Sequence, residues 1–269
     1  MSDTRVCITG ACGRMGRAAV KAVWEDAGLE LVAAVDVAHT GEDIGEVAGL
    51  GALGVRVMDN LADALEQRRP DVMVDFTNPS AVLGSLRTAL SRGVRCVVGT
   101  TGLSEADLTE VAQLCADHDT AAVICPNFSL GANLMMRFAA EAATRYETAE
   151  IIELHHEQKK DAPSGTALST AARMAEARGG DLHAARTEVV KLDGARGGLA
   201  HGIPIHSVRL PGFVAHQEVI FGGPGETLTI RHDSTGRESF MPGMILAIRE
   251  VMRRPGLTYG LEQLLDRPL

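Results

Sequence analysis

The stretch Thr4 to Ala27, TRVCITGACGRMGRAAVKAVWEDA, decides the fold. A short apolar run ends on Gly10, glycines recur at Gly13 and Gly16, and a helix-periodic segment starts at Arg14. Glycines at such a strand-to-helix turn allow a tight bend, close approach of backbone to a pyrophosphate, and close helix–strand packing. The spacing is GxxGxxG, because Cys12 stands at the usual middle position. LELVAAVD (29–36) predicts a second strand. Its last residue, Asp36, lies 20 positions beyond Gly16, where an acid hydrogen-bonds ribose hydroxyls. Strand, turn, helix, strand and acid in this order predict a dinucleotide-binding domain.

Outward from this core the first half alternates two periods. VMVDFT (72–77), VRCVVGTT (94–101) and AAVICPNF (121–128) are continuous apolar runs, as in strands buried on both faces. Helical segments NLADALEQ, SAVLGSLRTALSRG and SEADLTEVAQLCADH separate them, which implies βαβ units and a parallel sheet. Polar clusters close those runs at Asp75–Pro79, Gly99–Gly102 and Cys125–Phe128. In an open parallel sheet such ends line one crevice.

The second half changes character. A helical run over about 131–145 precedes TAEIIELHH, VRLPGFVAHQEVIFGG and ETLTIRHDS, which predict strands of a mixed or antiparallel sheet. LDGARGGLAHGIPIH between them reads as a long glycine-rich loop. SFMPGMILAIREVMRRP predicts a helix with Arg253 and Arg254 in its last turn, where cations suit the dipole. A short end over LEQLLDR follows. The fold class expected is α/β: a Rossmann-like parallel-sheet domain plus an α+β domain. The expected boundaries are 1–126 completed by 237–269, and 127–236.

Chemistry concentrates in Glu153 to Thr166, ELHHEQKKDAPSGT. The chain is acidic overall, with 35 Asp+Glu against 26 Lys+Arg, so a knot of His155, His156, Lys159 and Lys160 calls for a reason. Lysine and histidine carry positive charge and transferable protons. Ser164 is the expected N-cap of a helix over the following alanine-rich run. Unpaired N–H groups at a helix start attract anions, and Gly165 and Thr166 allow close approach. The pair of devices suits a small substrate bearing carboxylates. Adjacent strand residues face opposite sides, so both histidines serve one ligand only if regular strand stops by about His156.

Composition narrows the class. A net charge of −9 argues against nucleic acid as a partner. No apolar run approaches the ~20 residues of a membrane span, and strand-forming residues start almost at once, with no signal-peptide pattern. Five scattered cysteines without a CxxC pair read as buried residues of a cytoplasmic protein, not as disulfides or a metal site.

GACGRMGR, VDFTNP, VVGTTG, PNFSLGANL and ELHHEQKKDAPSGTA occur in this order, and with HSVRLPGFVAHQEVIFGGPGETLTIRHDS they cover nearly the whole chain. On these motifs the chain resembles the bacterial dihydrodipicolinate reductases, also called 4-hydroxy-tetrahydrodipicolinate reductases, of diaminopimelate and lysine biosynthesis. The resemblance implies a cytoplasmic homotetramer whose second domain binds substrate and makes the tetramer contacts, with the last helix returning to the first domain. It implies a catalytic pair, His155 as proton donor/acceptor and Lys159 as proton donor, with His156, Gly165 and Thr166 binding substrate. It also implies that Gly10, Ala11, Cys12, Gly13, Arg14 and Met15 hold the pyrophosphate and Asp36 the ribose. Gly99, Thr100, Thr101, Cys125, Pro126, Asn127 and Phe128 would border the nicotinamide. NADH, NADPH or both are the expected cofactors. Asp36 followed by Val37, where some members carry an arginine, tilts the reading to NADH. Domain closure is expected to hinge near Asn127 and near Ser234–Glu238. The competing readings are another two-domain NAD-dependent dehydrogenase and a non-catalytic NAD-sensing module, which leaves the histidine–lysine cluster without a purpose.

Overall fold

A computed structural model describes residues 3–265; residues 266–269, the end of the segment expected to complete the first domain, lie outside the described residues. The chain divides into two compact units, Met1–Leu130 with Phe240–Leu269, and Gly131–Ser239.

In the first unit seven strands form one parallel sheet: β1 (Thr4–Thr9), β2 (Leu29–Val35), β3 (Val57–Met58), β4 (Val72–Asp75), β5 (Arg95–Val98), β6 (Ala121–Ile124) and β12 (Gly256–Tyr259). Their spatial order is β12-β6-β5-β4-β1-β2-β3, which reverses direction between β1 and β4. That reversal opens the crevice where doubly wound sheets bind nucleotides. Helices α1 (Arg14–Glu25), α2 (Ile44–Ala48), α3 (Leu61–Arg68), α4 (Val82–Leu90), α5 (Glu105–Asp117) and α8 (Met241–Val251) belong to the same unit. The strands carry almost wholly buried apolar residues: Val6, Cys7, Ile8, Val72, Met73, Val74, Cys96, Val97 and Val98 are at 0% exposure. Burying both faces removes the alternation of a half-exposed strand. Met244, Ala247, Ile248 and Val251 of α8 join Val6, Ile8 and Val20 in one core, so the chain's return completes this unit.

Local chemistry sets the helix starts. Ser104 and Asp107 form a reciprocal capping box on α5, and Asn60 accepts the Ala62 and Asp63 N–H groups at the start of α3. Asp43 caps α2 and also accepts the N–H groups of Leu53 and Gly54, ordering the glycine-rich stretch before β3.

In the second unit, α6 (Leu130–Ala143) leads to a five-stranded mixed sheet of order β11-β10-β7-β9-β8. Its strands are β7 (Thr148–His155), β8 (Gly198–Ala200), β9 (Ile203–Arg209), β10 (Ala215–Gly223) and β11 (Glu226–Ser234), and α7 (Gly165–Arg178) packs on one face. Ala149, Ile151, Ile205, Val219 and Phe221 meet Ala167, Ala171 and Met174 of α7 in a separate core.

The structure corrects four expectations. VRLPGFVAHQEVIFGG is two strands, because Pro211-Gly212 breaks the run between β9 and β10. The stretch read as a loop contains β8 and the start of β9, turned at His201 and Gly202, both at positive φ. Arg253 and Arg254 follow the end of α8 and pair with Glu250 from beyond it. β3, β12 and α2 are added elements; the two strands lie at the edges of the large sheet, where short runs are common.

Candidate active site

At the amino-terminal unit's crevice, Gly10 sits at φ 68°, and a Cβ there would lie 2.5 Å from the Phe76 carbonyl oxygen. A Cβ on Gly16 would lie 2.0 Å from the Gly10 carbonyl oxygen. Both glycines are therefore fixed by backbone approach, and Gly10 by its positive φ as well. Helix α1 starts at Arg14 with no side-chain cap on Gly13, so its first N–H groups remain available to an anion. Asp36 closes the loop: its carboxylate accepts the Cys12 N–H at 2.9 Å and the Ala38 N–H at 3.0 Å. A cavity of about 420 Å³ runs from Gly10, Gly13 and Asp36 to Phe76, Thr77 and Asn78. Ala11 is buried, Met15 is half-buried and Arg14 is exposed. The Cys12 thiol is pushed up to about 11 by burial and by Asp36, so it stays protonated beside the loop.

Two of the polar clusters, those that follow β4 and β5, are knit to the end of β1 by one carboxylate. Asp75, fully buried, accepts the Thr9 hydroxyl at 2.8 Å, the Thr77 hydroxyl at 2.8 Å, the Thr77 N–H at 3.1 Å and the Thr100 hydroxyl at 2.7 Å. It thereby ties the carboxyl ends of β1, β4 and β5. Gly99 has no room for a side chain, since a Cβ would meet the Phe76 ring at 2.3 Å and the Phe128 ring at 2.9 Å. Those rings pack edge to face at 6.0 Å. Thr100 is buried and Thr101 exposed. Cys125 lies in the core, its thiol raised by burial, so only its backbone is offered to the crevice; Pro126 is exposed, and Asn127 accepts the Ser129 N–H.

In the second unit β7 ends at His155, and exposed His156 follows outside regular strand, as the single-ligand argument required. Ser164 caps α7 by accepting the Ala167 N–H at 3.2 Å. No side-chain acceptor among the described residues reaches the N–H of Gly165 or Thr166, and a Cβ on Gly165 would meet nothing within 4 Å. Lys159 pairs with Asp161 at 2.7 Å, and its charge helps lower the His155 pKa.

The residue that joins these pieces is Glu153, at 0% exposure. Its carboxylate receives both Nη groups of Arg209 at 2.7 and 2.8 Å, Nδ1 of His155 at 2.5 Å and the Ser164 N–H at 3.2 Å. Arg209 also donates to the Asp161 carbonyl at 2.8 Å. Burial raises the Glu153 pKa, but hydrogen bonds from Arg209, Ser207 and His155 outweigh it and hold the group below the usual carboxylate range. His155 moves down: its own burial, with Lys159 and Arg209 nearby, outweighs the pull of Glu153. The sequence held one signal for Glu153, a carboxylate in phase with buried Ala149 and Ile151 on an alternating strand. It held none for Arg209, 56 residues away on β9.

Among the described residues no cluster of His, Cys, Asp and Glu is placed to hold a metal ion, and no helix is long and apolar enough to cross a membrane.

Two family descriptions together span the chain: "Dihydrodipicolinate reductase, N-terminus" matches residues 4–128, and "Dihydrodipicolinate reductase, C-terminus" matches 131–265. The chain is 52% identical to the 4-hydroxy-tetrahydrodipicolinate reductase of Moorella thermoacetica, covering 99% of each. It is 49% identical to that of Desulfitobacterium hafniense, covering 99% of this chain and 100% of the relative. Among solved structures, the dipicolinate-bound dihydrodipicolinate reductase from Paenisporosarcina sp. TG-14 matches with a TM-score of 0.87 and 43% identity, over 97% of this chain and 99% of that one. An amine dehydrogenase from Mycobacterium smegmatis, at 18% identity and a TM-score of 0.68, shares the fold alone. A nucleotide-binding parallel sheet, a histidine–lysine cluster at a helix start and full-length identity near one half lead to one conclusion: this chain belongs to the dihydrodipicolinate reductase family.

Proposed function

We propose that the chain reduces 4-hydroxy-tetrahydrodipicolinate, or its dehydrated form, to tetrahydrodipicolinate, with Lys159 as proton donor and His155 beside it. The observation that carries this reading is the assembly around the start of α7. His155, Lys159 and the open N–H groups of Gly165 and Thr166 are tied together through Glu153, Arg209 and the 156–164 loop. The N–H groups and the cations suit the carboxylates of a small dicarboxylate, and the relative from Paenisporosarcina is described as dipicolinate-bound.

The residues of the first unit fit a nicotinamide dinucleotide: a glycine turn that a Cβ would fill, an uncapped helix start, and Asp36 at the end of β2. Gly10 to Met15 would hold the pyrophosphate, Asp36 the ribose, and Gly99 to Thr101 with Cys125 to Phe128 the nicotinamide end. When bound, the cofactor supplies a hydride. The carbon that gains electron density then needs a proton, which the Lys159 ammonium delivers. Asp36 disfavours a 2′-phosphate, and Val37 beside it, 91% exposed, offers no cation, so NADH is the favoured form. The chain assembles as a homotetramer through its second unit. The face of the mixed sheet away from α7 carries partly exposed Ile152, Leu154, Val208 and Ile220, which a partner would cover.

The test follows NADH and NADPH absorbance with the freshly made condensation product of pyruvate and aspartate semialdehyde. Oxidation dependent on that product, faster with NADH, is expected. Bound NADH with no oxidation would overturn the assignment, and light scattering at the mass of one 28.4 kDa chain would overturn the tetramer.

A further inference from the structure

We propose that Glu153 is the positioning residue that sets His155 for the reaction: anchored by Arg209, it keeps the imidazole proton on Nδ1 and leaves Nε2 as a bare acceptor turned away from it. This rests on the role read above for His155 and Lys159.

The geometry fixes the direction of the hydrogen bond. Glu153 already receives two charge-assisted bonds from the Arg209 fork and the Ser164 N–H. A carboxylate so engaged is ionised and can only accept, so Nδ1 of His155 must donate across their 2.5 Å contact. A neutral imidazole with its proton on Nδ1 has a lone pair on Nε2. Burial and two nearby cations, Lys159 and Arg209, favour that neutral form. His155 then accepts a hydrogen bond from substrate or from Lys159, and Lys159 is left as the group that gives the proton away.

The arrangement also explains why a carboxylate is tolerated at 0% exposure in a strand core. A buried charge is costly unless paired and fully hydrogen-bonded. Arg209 meets that cost from β9 and ties the 156–164 loop through the Asp161 carbonyl. His155 is thereby oriented by a neighbouring strand and its loop, not only by its own backbone.

The experiment uses full-length protein labelled with 15N-histidine, the His155 signal being assigned by difference with a His155→Gln sample. In the wild type near neutral pH, His155 should show a protonated Nδ1 and a bare Nε2. The opposite tautomer would overturn the proposal without any variant at Glu153. Glu153→Gln, whose amide can donate to Nδ1, should move the proton to Nε2. It should lower kcat by roughly 10²–10⁴-fold, the range of a positioned acid or base, with a wrong-tautomer catalytic histidine at the upper end. The KM for the dicarboxylate and the Kd for NADH should stay within about threefold. Glu153→Asp, which keeps the charge, should recover part of the rate. A kcat within about threefold of wild type, or a loss of rate with the tautomer unchanged, would overturn it. If wild-type protein oxidises no NADH with the condensation product, or Lys159→Ala is fully active, it is the assignment of the reaction that fails, whatever the tautomer.

Discussion

Among the described residues each unit buries one carboxylate completely, Asp75 at the end of β4 and Glu153 near the end of β7, and the two are satisfied in opposite ways. Asp75 in the parallel sheet receives three threonine hydroxyls and one backbone N–H, all neutral donors. Glu153 in the mixed sheet receives an arginine fork and a histidine, both able to carry charge. The difference separates scaffold from chemistry. Neutral donors hold loops at fixed separations and take no part in proton traffic, as a cofactor cradle requires. A titratable partner couples the buried carboxylate to His155, the group proposed to meet substrate. Disturbing the first should be read in cofactor affinity and stability, disturbing the second in turnover.

The sharpest break is expected at the chemistry itself. Lys159→Ala should lower kcat by roughly 10²–10⁴-fold, the usual contribution of a placed proton donor, with NADH affinity unchanged by fluorescence titration. Unchanged turnover would remove Lys159 from the mechanism. Next comes the scaffold carboxylate. Asp75→Asn leaves three threonine donors facing an amide and should cost about 1–3 kcal/mol in unfolding free energy. It should weaken NADH binding while kcat at saturating cofactor stays close to wild type. A collapse of kcat alone would mean that Asp75 belongs with the chemistry, and the contrast would fall.

Acid should distinguish the units as well. Burial holds His155 and His232, both of the second unit, below their ordinary value. The unfolded chain therefore binds their protons first, and stability should fall as pH drops below about 6.5. Glu153 is held low in the folded state, so its share is present above about 4.3 and is lost as pH falls through its folded value. Melting temperatures between pH 7.5 and 5 should decline, and His155→Gln should flatten that decline partly, leaving the share of His232. An identical slope in the variant would show that His155 is not held neutral.

The smallest effect is the most discriminating. Gly165 is at no positive φ and has open space where a Cβ would go. Gly165→Ala should leave the unfolding free energy unchanged or raise it slightly, by less than about 1 kcal/mol. It should nevertheless raise the substrate KM several-fold if the dicarboxylate sits on the start of α7. An unaltered KM would move the substrate elsewhere.

Legibility in the sequence followed the range of the forces involved. The glycine turn, Asp36, the cap at Ser164 and the end of β7 near His156 are local, set by neighbours within a few residues, and the reading placed all of them. Strand pairing is not local. Pro211-Gly212 marked a break inside VRLPGFVAHQEVIFGG, yet the hairpin of β8 and β9 hid in a glycine-rich stretch, because β8 is a short edge strand that owes its form to the partner beside it.

The sequence by itself determined where histidines, lysines and a capped helix start gather and that a dinucleotide fold begins the chain, since periodicity, glycine turns and caps are written in consecutive residues. Only the tertiary structure decided what holds those residues to their task. Thr9, Asp75 and Thr100 meet across three parallel strands, and Glu153 meets Arg209 from 56 residues away. A buried carboxylate must find donors wherever the sheet's register brings them, and that register is fixed by packing across the whole core.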